Sequence, residues 1–381
     1  MTRQVLTGAR IFDGATLHDG LAVVVEGDRI AALTPTPPPG PVTALGGGIL
    51  APGMIDLQVN GGGGVMVDGT ATAASLAALC EVHARLGATG ILPTLITDTP
   101  QATASVLAAG IVAALAGVPG FLGLHLEGPH LDPRRAGAHD PALIRPMGED
   151  DLARLCDAAR DLPALMVTLA PAAVSPDQIG RLARAGVIVS LGHADCTFDQ
   201  AQAARRAGAA CVTHLFNAMS GLGHREPGLV GAALDTDLDA GLIADAVHVH
   251  PAAIRAALAA KRAGRVFLVS DAMAVAGTDL PGLMLGGRAI RRAGGRLTLA
   301  DGTLAGADLT LARAVGVMVQ DVGLPVAQAL AMATAIPAAV VGRGADLGHL
   351  APGRRADLVH LDADFGLRAV WRGGQRRDPL A

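Results

Sequence analysis

Eight short apolar runs, separated by stretches rich in alanine, leucine and arginine, constrain this chain more than anything else in it. The runs fall at residues 54–59, 90–96, 121–126, 164–169, 186–191, 209–213, 241–245 and 265–270. Each has the length of a buried strand, and most of the stretches between them have the length and composition of a helix. Thr99-Pro100 and Ser175-Pro176 each put an N-cap residue before a proline at the first helical position. The connection after 209–213 reads mostly as loop. Such alternation builds either a closed (β/α)8 barrel or an open doubly wound sheet. Polar residues follow the runs all around the count rather than at one switch point, which favours the TIM barrel.

The flanks read differently. LAVVVEGDRIAAL gives two strands around a turn at Gly27-Asp28, and Thr34 to Pro41 is an extended, proline-rich segment that excludes helix. After the eighth run, a hairpin turning at Gly294-Gly295 is expected, followed by helices over about 308–321 and 325–341. The tail returns to short strands that pair with the N-terminal ones. The expected organisation is a discontinuous small β domain, residues 1–52 and 343–381, around a barrel domain at 53–342.

Composition removes several classes of function. The formal net charge is −4 with no long basic block, which argues against a nucleic-acid partner. Aromatic residues are 2% of the chain, too few for a stacking platform. Although 51% of residues are apolar, no apolar run is long enough to span a membrane. MTRQVLTGARIFDG lacks the apolar core of a signal peptide, and Cys80, Cys156, Cys196 and Cys211 form no C-x-x-C pair. A cytoplasmic, reduced protein is expected. Cys196, three residues past His193, reads as a small loop residue.

The chemistry collects where runs end. FLGLHLEGPH drops Glu127 at the end of the third run, where a carboxylate is costly unless something positive meets it. His193 ends VIVSLGH and His214 ends AACVTH. Any one histidine alone would most often be a core residue. Together, two histidines and a carboxylate leave a fourth position open, as in catalytic zinc sites, and non-haem iron accepts the same set. Asp271 follows the eighth run in VFLVSDAM and suits proton transfer. His139, in AGAHD, is equally open as an oxyanion donor or a solvent-exposed loop residue. Arg225 and His248 follow the sixth and seventh runs; an arginine fork suits phosphate, though alone it would most often be a surface ion-pair residue. His125 shares a strand face with Glu127 and reads as a ligand or a supporting partner. Gly61 to Gly64 read as a mobile loop or an anion cradle.

APGMIDLQVNG, HLEGPH, GAHD, LGHA, THLFNAMS, GHREPG, IADAVHV and VSDAM, in that order, resemble the N-acetylglucosamine-6-phosphate deacetylase family of the amidohydrolase superfamily. The tail LGHLAPGRRADLVHLD looks like the superfamily's β-sandwich segment. The resemblance implies a (β/α)8 barrel with a small β-sandwich built from both termini, usually a homodimer. It implies one divalent metal per subunit, zinc first and iron second, on Glu127, His193 and His214. It implies Asp271 as acid/base and His139 as the group that polarises the acetyl carbonyl. Ala138, His139, Asn217, Ala218, Arg225, His248 and the segment Leu304, Ala305, Gly306 and Ala307 match substrate-binding positions, with Arg225 able to serve a neighbouring subunit. One departure matters. Many amidohydrolases carry H-x-H at the end of the first strand, and here that place holds Gln58-Val59-Asn60, poor zinc ligands that agree with a single metal. The reaction implied is hydrolysis of the acetamide of N-acetylglucosamine 6-phosphate to glucosamine 6-phosphate and acetate, with the galactosamine epimer or another amidohydrolase-type amide as the alternative. A cyclic-amide hydrolase is disfavoured by the missing H-x-H pair, and a non-catalytic scaffold of this fold by the retained Glu127, His193, His214 and Asp271.

Overall fold

The computed structural model describes residues 3–380. The outermost ends of the expected small domain, residues 1–2 and 381, lie outside the described residues. Eight parallel strands form the central sheet in sequence order. They are β1 (Met54–Val59), β2 (Ala88–Ile96), β3 (Leu124–Glu127), β4 (Leu165–Leu169), β5 (Ile188–Leu191), β6 (Cys211–Val212), β7 (Asp239–Leu242) and β8 (Val266–Leu268). Every expected run contributes a strand. The third starts later than its apolar run, because Gly123 takes φ +134 and a Cβ there would meet the Ala164 carbonyl oxygen at 2.0 Å. Phe121 keeps only an isolated bridge to Ile91.

The barrel closes without a regular ladder between β8 and β1. Val59 and Ala272 form an isolated bridge, and the Asn60 N–H donates to the Ala272 carbonyl at 2.8 Å. Asp56, buried within β1, supplies the rest: both its carboxylate oxygens accept the Ser270 N–H at 3.2 Å. A side chain thus stands in for missing backbone pairing, which satisfies an otherwise orphaned buried donor.

The intervening helices begin where capping chemistry puts them. Thr99 caps Pro100–Leu115, and Ser175 and Gln178 form a capping box at Pro176–Arg184. After β6 the chain runs irregularly to a short helix at Gly228–Asp235. The expected helix over 325–341 is two, Val326–Ala333 and Ala335–Val340. Pro337 explains the break: deep in one continuous helix it would lack its N–H and clash with the preceding turn. Breaking at Thr334 puts it in the first turn of the second helix.

Strands from both ends of the chain share a six-stranded sheet. Ile49–Pro52 lies between Arg10–Phe12 and Leu358–Leu361, pairing with the latter antiparallel. A four-stranded sheet containing Arg3–Thr7, Ala22–Glu26, Arg29–Thr34 and Val42–Ala44 stacks on it. Leu6, Ile11, Val23, Ile30, Leu50, Leu358 and Trp371 fill the space between. The hairpin expected around Gly294-Gly295 belongs to a larger insertion, a sheet of Gly282–Leu285, Arg288–Ala293, Arg296–Thr298 and Leu304–Ala307. Its last strand touches the barrel mouth, since the Ala307 N–H donates to the Asp271 carbonyl at 2.9 Å. No helix among the described residues is long and apolar enough to cross a membrane.

Candidate metal and active site

The strand ends carry a cluster of strained backbone. Non-glycine residues with positive φ include His193 (46°), His214 (30°), Phe216 (79°), Ala218 (49°), Ala246 (61°) and Asp271 (50°), all following β5, β6, β7 or β8. Such conformations cost of order 1–3 kcal/mol each and persist only where the surroundings over-determine them. Here the turns after β5, β6 and β8 aim His193, His214 and Asp271 toward Glu127, at the end of β3.

Glu127 Oε1 lies 3.2 Å from His193 Nε2 and 3.0 Å from His214 Nε2, and the two ring nitrogens are 3.1 Å apart. All three residues are buried. The His193 Nδ1–H donates to the Arg135 carbonyl at 2.8 Å, which leaves Nε2 of the neutral ring with a bare lone pair. That lone pair faces a carboxylate oxygen, and two acceptors do not sit together unless a cation or a shared proton lies between them. Burial works to raise Glu127, but its close pairing with the His193 and His214 imidazoles outweighs that and holds the carboxyl well below its usual range. His214 Nδ1 is buried without a partner, so nothing in the protein fixes that ring's tautomer. Two imidazoles and an ionised carboxylate, converging in a buried pocket, fit a divalent transition metal.

His139 also approaches, with Nε2 4.0 Å from Glu127 Oε2, and with Glu127 and His193 it offers atoms within 4.8 Å of one another. Its other nitrogen argues against ligation. The Thr97 N–H donates to His139 Nδ1 at 3.3 Å, so in the neutral ring the proton sits on Nε2. Burial, then the neighbouring His193, pushes the ring down to about 3, which keeps it neutral. His139 is therefore a buried N–H donor aimed into the site, and not the solvent-exposed histidine that its loop position also allowed.

Asp271 stands across from Glu127. Gln58 Nε2 bridges the two carboxylates, donating to Glu127 Oε1 and Asp271 Oδ1, each at 3.2 Å. Asn60 Nδ2 donates to the same Asp271 oxygen at 2.6 Å. Burial, then the charge of Glu127, raises Asp271 to about 6. The residues standing where many amidohydrolases carry H-x-H thus serve as amide donors to the acids.

These groups open into a cavity of about 540 Å³ at the C-terminal face of the barrel. Ala138, His139, Asn217, Ala218, His248, Leu304 and Gly306 line it, as expected. Three expected contacts do not. Arg225 is exposed and outside the cavity wall, because the loop carrying it projects outward before Gly228–Asp235. Ala305 points into the insertion's own core with Met273, Val275, Ile290 and Leu297, since alternate residues of a strand face opposite ways. Ala307 contributes only its N–H, to Asp271.

Sequence reasoning missed Arg134, Arg135, Met273 and Leu285 on the cavity wall, and Asp245, which holds His248 Nδ1 at 2.6 Å. Asp245 was findable by the rule that found Glu127, being an acid just beyond a buried run. The others depend on loop paths that leave no local signal.

Two open readings resolve. Gly61 and Gly62 pair with Val65 and Met66, and the N–H groups of Gly61, Gly63 and Gly64 are spent on the carbonyls of Ala272, Ala276 and Ala274. That ribbon cradles no anion. His125 is a satisfied core histidine, donating from Nδ1 to the Leu57 carbonyl at 3.0 Å and accepting from the Thr168 hydroxyl at 2.7 Å. Cys196 is buried, which pushes its thiol up to about 11, an inert residue.

Comparison with known proteins agrees with this geometry. The profile of the Amidohydrolase family matches residues 49–377. An N-acetylgalactosamine-6-phosphate deacetylase of Shewanella sp. (strain ANA-3) is 37% identical over 380 residues, covering 97% of this chain and 95% of that protein. An N-acetylglucosamine-6-phosphate deacetylase of Haemophilus influenzae is 33% identical over 352 residues, covering 90% and 91%. The crystal structure of N-acetylglucosamine-6-phosphate deacetylase from Pasteurella multocida superposes with a TM-score of 0.94 at 33% identity, over 98% of this chain and 99% of that one. A barrel whose strand ends gather an acid, two histidines and a second acid, matched along nearly its whole length by these enzymes, belongs to the amidohydrolase family.

Proposed function

We propose that this chain hydrolyses the N-acetyl group of N-acetylglucosamine 6-phosphate, releasing acetate and glucosamine 6-phosphate. The observation that carries the reading is the convergence of Glu127, His193 and His214 opposite Asp271, inside one cavity lined by seven of the ten expected substrate-binding positions. One divalent cation, zinc with iron as the alternative, is held by Glu127, His193 and His214. When bound, it supplies Lewis-acid activation of water and of the acyl oxygen.

The chain's own residues do the rest. Asp271 takes the proton of the attacking water and later returns it to the departing amine nitrogen. Gln58 and Asn60 occupy its Oδ1 and leave Oδ2 for the transfer. The His139 Nε2–H donates to the acetyl oxygen as charge develops there, an effect worth about 3–4 kcal/mol for one well-placed donor. Asn217, Ala218 and His248 hold the sugar phosphate, with Asp245 fixing the His248 ring. Binding energy from the remote phosphate then positions the amide.

Arg225 lies on an exposed loop outside its own cavity, which supports the reading that it serves the neighbouring subunit of a homodimer. Four free cysteines support a reducing, cytoplasmic setting. Residues 1–52 and 343–381 are the proposed bounds of the small domain.

The galactosamine epimer is a second reading, favoured by the Shewanella relative, whose identity to this chain is 37% against 33% for the Haemophilus enzyme. Acetate release from both phosphorylated epimers and from unphosphorylated N-acetylglucosamine, on protein of known metal content, tests both. Preference for the gluco phosphate supports the first reading, and preference for the galacto phosphate the second. No release from any, with metal bound, would leave the barrel and discard the substrate.

A further inference from the structure

We infer that Asp132 is a positioning residue for His193, the centre of an ion-paired clasp that locks the loop after β3 onto the loop after β5. The inference rests on the proposed role of His193 as a metal ligand. His193 is gripped twice by one four-residue segment, Asp132 to Arg135. The Asp132 N–H donates to the His193 carbonyl at 2.9 Å, and the Arg135 carbonyl accepts the His193 Nδ1–H at 2.8 Å. Between these two contacts the chain makes a single 3-10 turn, Pro133–Arg135, capped by Asp132 itself.

The carboxylate of Asp132, 3% exposed, is saturated with donors. It accepts the Arg134 N–H at 3.0 Å, Arg134 Nε at 3.0 Å and Nη2 at 2.6 Å, and the Asp195 N–H at 3.3 Å. Asp195, two residues beyond His193, pairs with Arg135 at 2.7 Å and Arg134 at 3.1 Å. The clasp thus holds both His193 itself and the residue two positions after it. It is poorly placed as a stability device: the Arg134 side chain is 62% exposed, and exposed ion pairs contribute little. What it does over-determine is the left-handed backbone of His193, φ 46°, which an isolated loop would relax. Partners one step behind a ligand orient it, and losing them costs metal affinity more than fold.

The test is Zn²⁺ affinity of the full chain, by competition with a chromogenic chelator, alongside thermal unfolding of the metal-free proteins. The variants are Asp132→Ala, Asp132→Asn and Asp195→Ala. Arg205→Ala, which breaks an exposed pair with Asp237 elsewhere, is the control. Asp132→Ala is expected to weaken Zn²⁺ binding by about 10- to 100-fold. Asp132→Asn, which keeps an oxygen for the Arg134 N–H, is expected to lose less. Asp195→Ala is expected to lose affinity with little change in metal-free Tm, and Arg205→Ala to lose none. If Asp132→Ala does not fold, the other two decide. Affinity within about twofold of wild type in the folded clasp variants would overturn the inference while leaving the ligand assignment standing. Failure of the wild-type chain to hold stoichiometric Zn²⁺ would overturn both.

Discussion

Asp271 is asked to take a proton and to give it back, and its surroundings are suited to both. Burial and the Glu127 charge lift its carboxyl to about 6, while Asn60 and Gln58 stabilise its ionised form. A base must be deprotonated to act, so kcat/KM should fall with unit slope as pH drops through the Asp271 pKa, which a cation held on Glu127 sets below its metal-free value. A pH–rate profile checks this, and a flat acid limb would remove Asp271 from the titration. Asp271→Asn should cut turnover by roughly 10²- to 10⁴-fold while leaving bound metal unchanged. His139→Ala should lower kcat by about 10²- to 10³-fold with a smaller effect on KM, since its N–H matters most when the oxyanion forms. A KM effect alone would mark it as a binding residue. Much of this site was legible because each of Glu127, His193, His214 and Asp271 follows directly on a buried run, where a polar side chain has to be explained. Arg134 and Arg135 were not legible, because only the fold brings their loop over the cavity.

At the scale of elements, the seam between β8 and β1 is the unusual join. Burial pushes Asp56 up to about 7 even as the Ser270 and Gln58 N–H groups pull it down. A folded-state value raised above the unfolded one means that stability is fully present below about pH 4. It is then lost progressively as pH rises through about 7. Urea midpoints measured across that window should decline, and Asp56→Asn should flatten the decline. An equal slope in the variant would assign the loss to other groups. The strands themselves were readable from apolar runs of strand length, and the caps from Thr99 and Ser175. What escaped was local backbone: Gly123 delays β3, and Pro337 splits one expected helix into two. Neither residue alone reveals whether its neighbours will accommodate it.

At the scale of the whole molecule, the outward-pointing Arg225 makes subunit exchange informative. Arg225→Ala and Asp271→Asn should each be nearly inactive alone. If the arginine crosses between subunits, mixed dimers of the two carry one intact site. Refolding them together should then recover roughly a quarter of wild-type activity. No recovery, with mixed dimers present, would mean that Arg225 acts in its own subunit, and full activity of Arg225→Ala alone would remove it from the site. Stripping the metal with a chelator should abolish activity, and adding back Zn²⁺ should restore it. The architecture also sets a schedule for synthesis. Ile49–Pro52 takes one of its two neighbours from Leu358–Leu361, so the strand waits through the making of the entire barrel before that side is covered. A nascent chain stalled anywhere in between presents a bare sheet edge to every other chain on the same message. Slow translation late in the message is then a greater aggregation hazard than slow translation early.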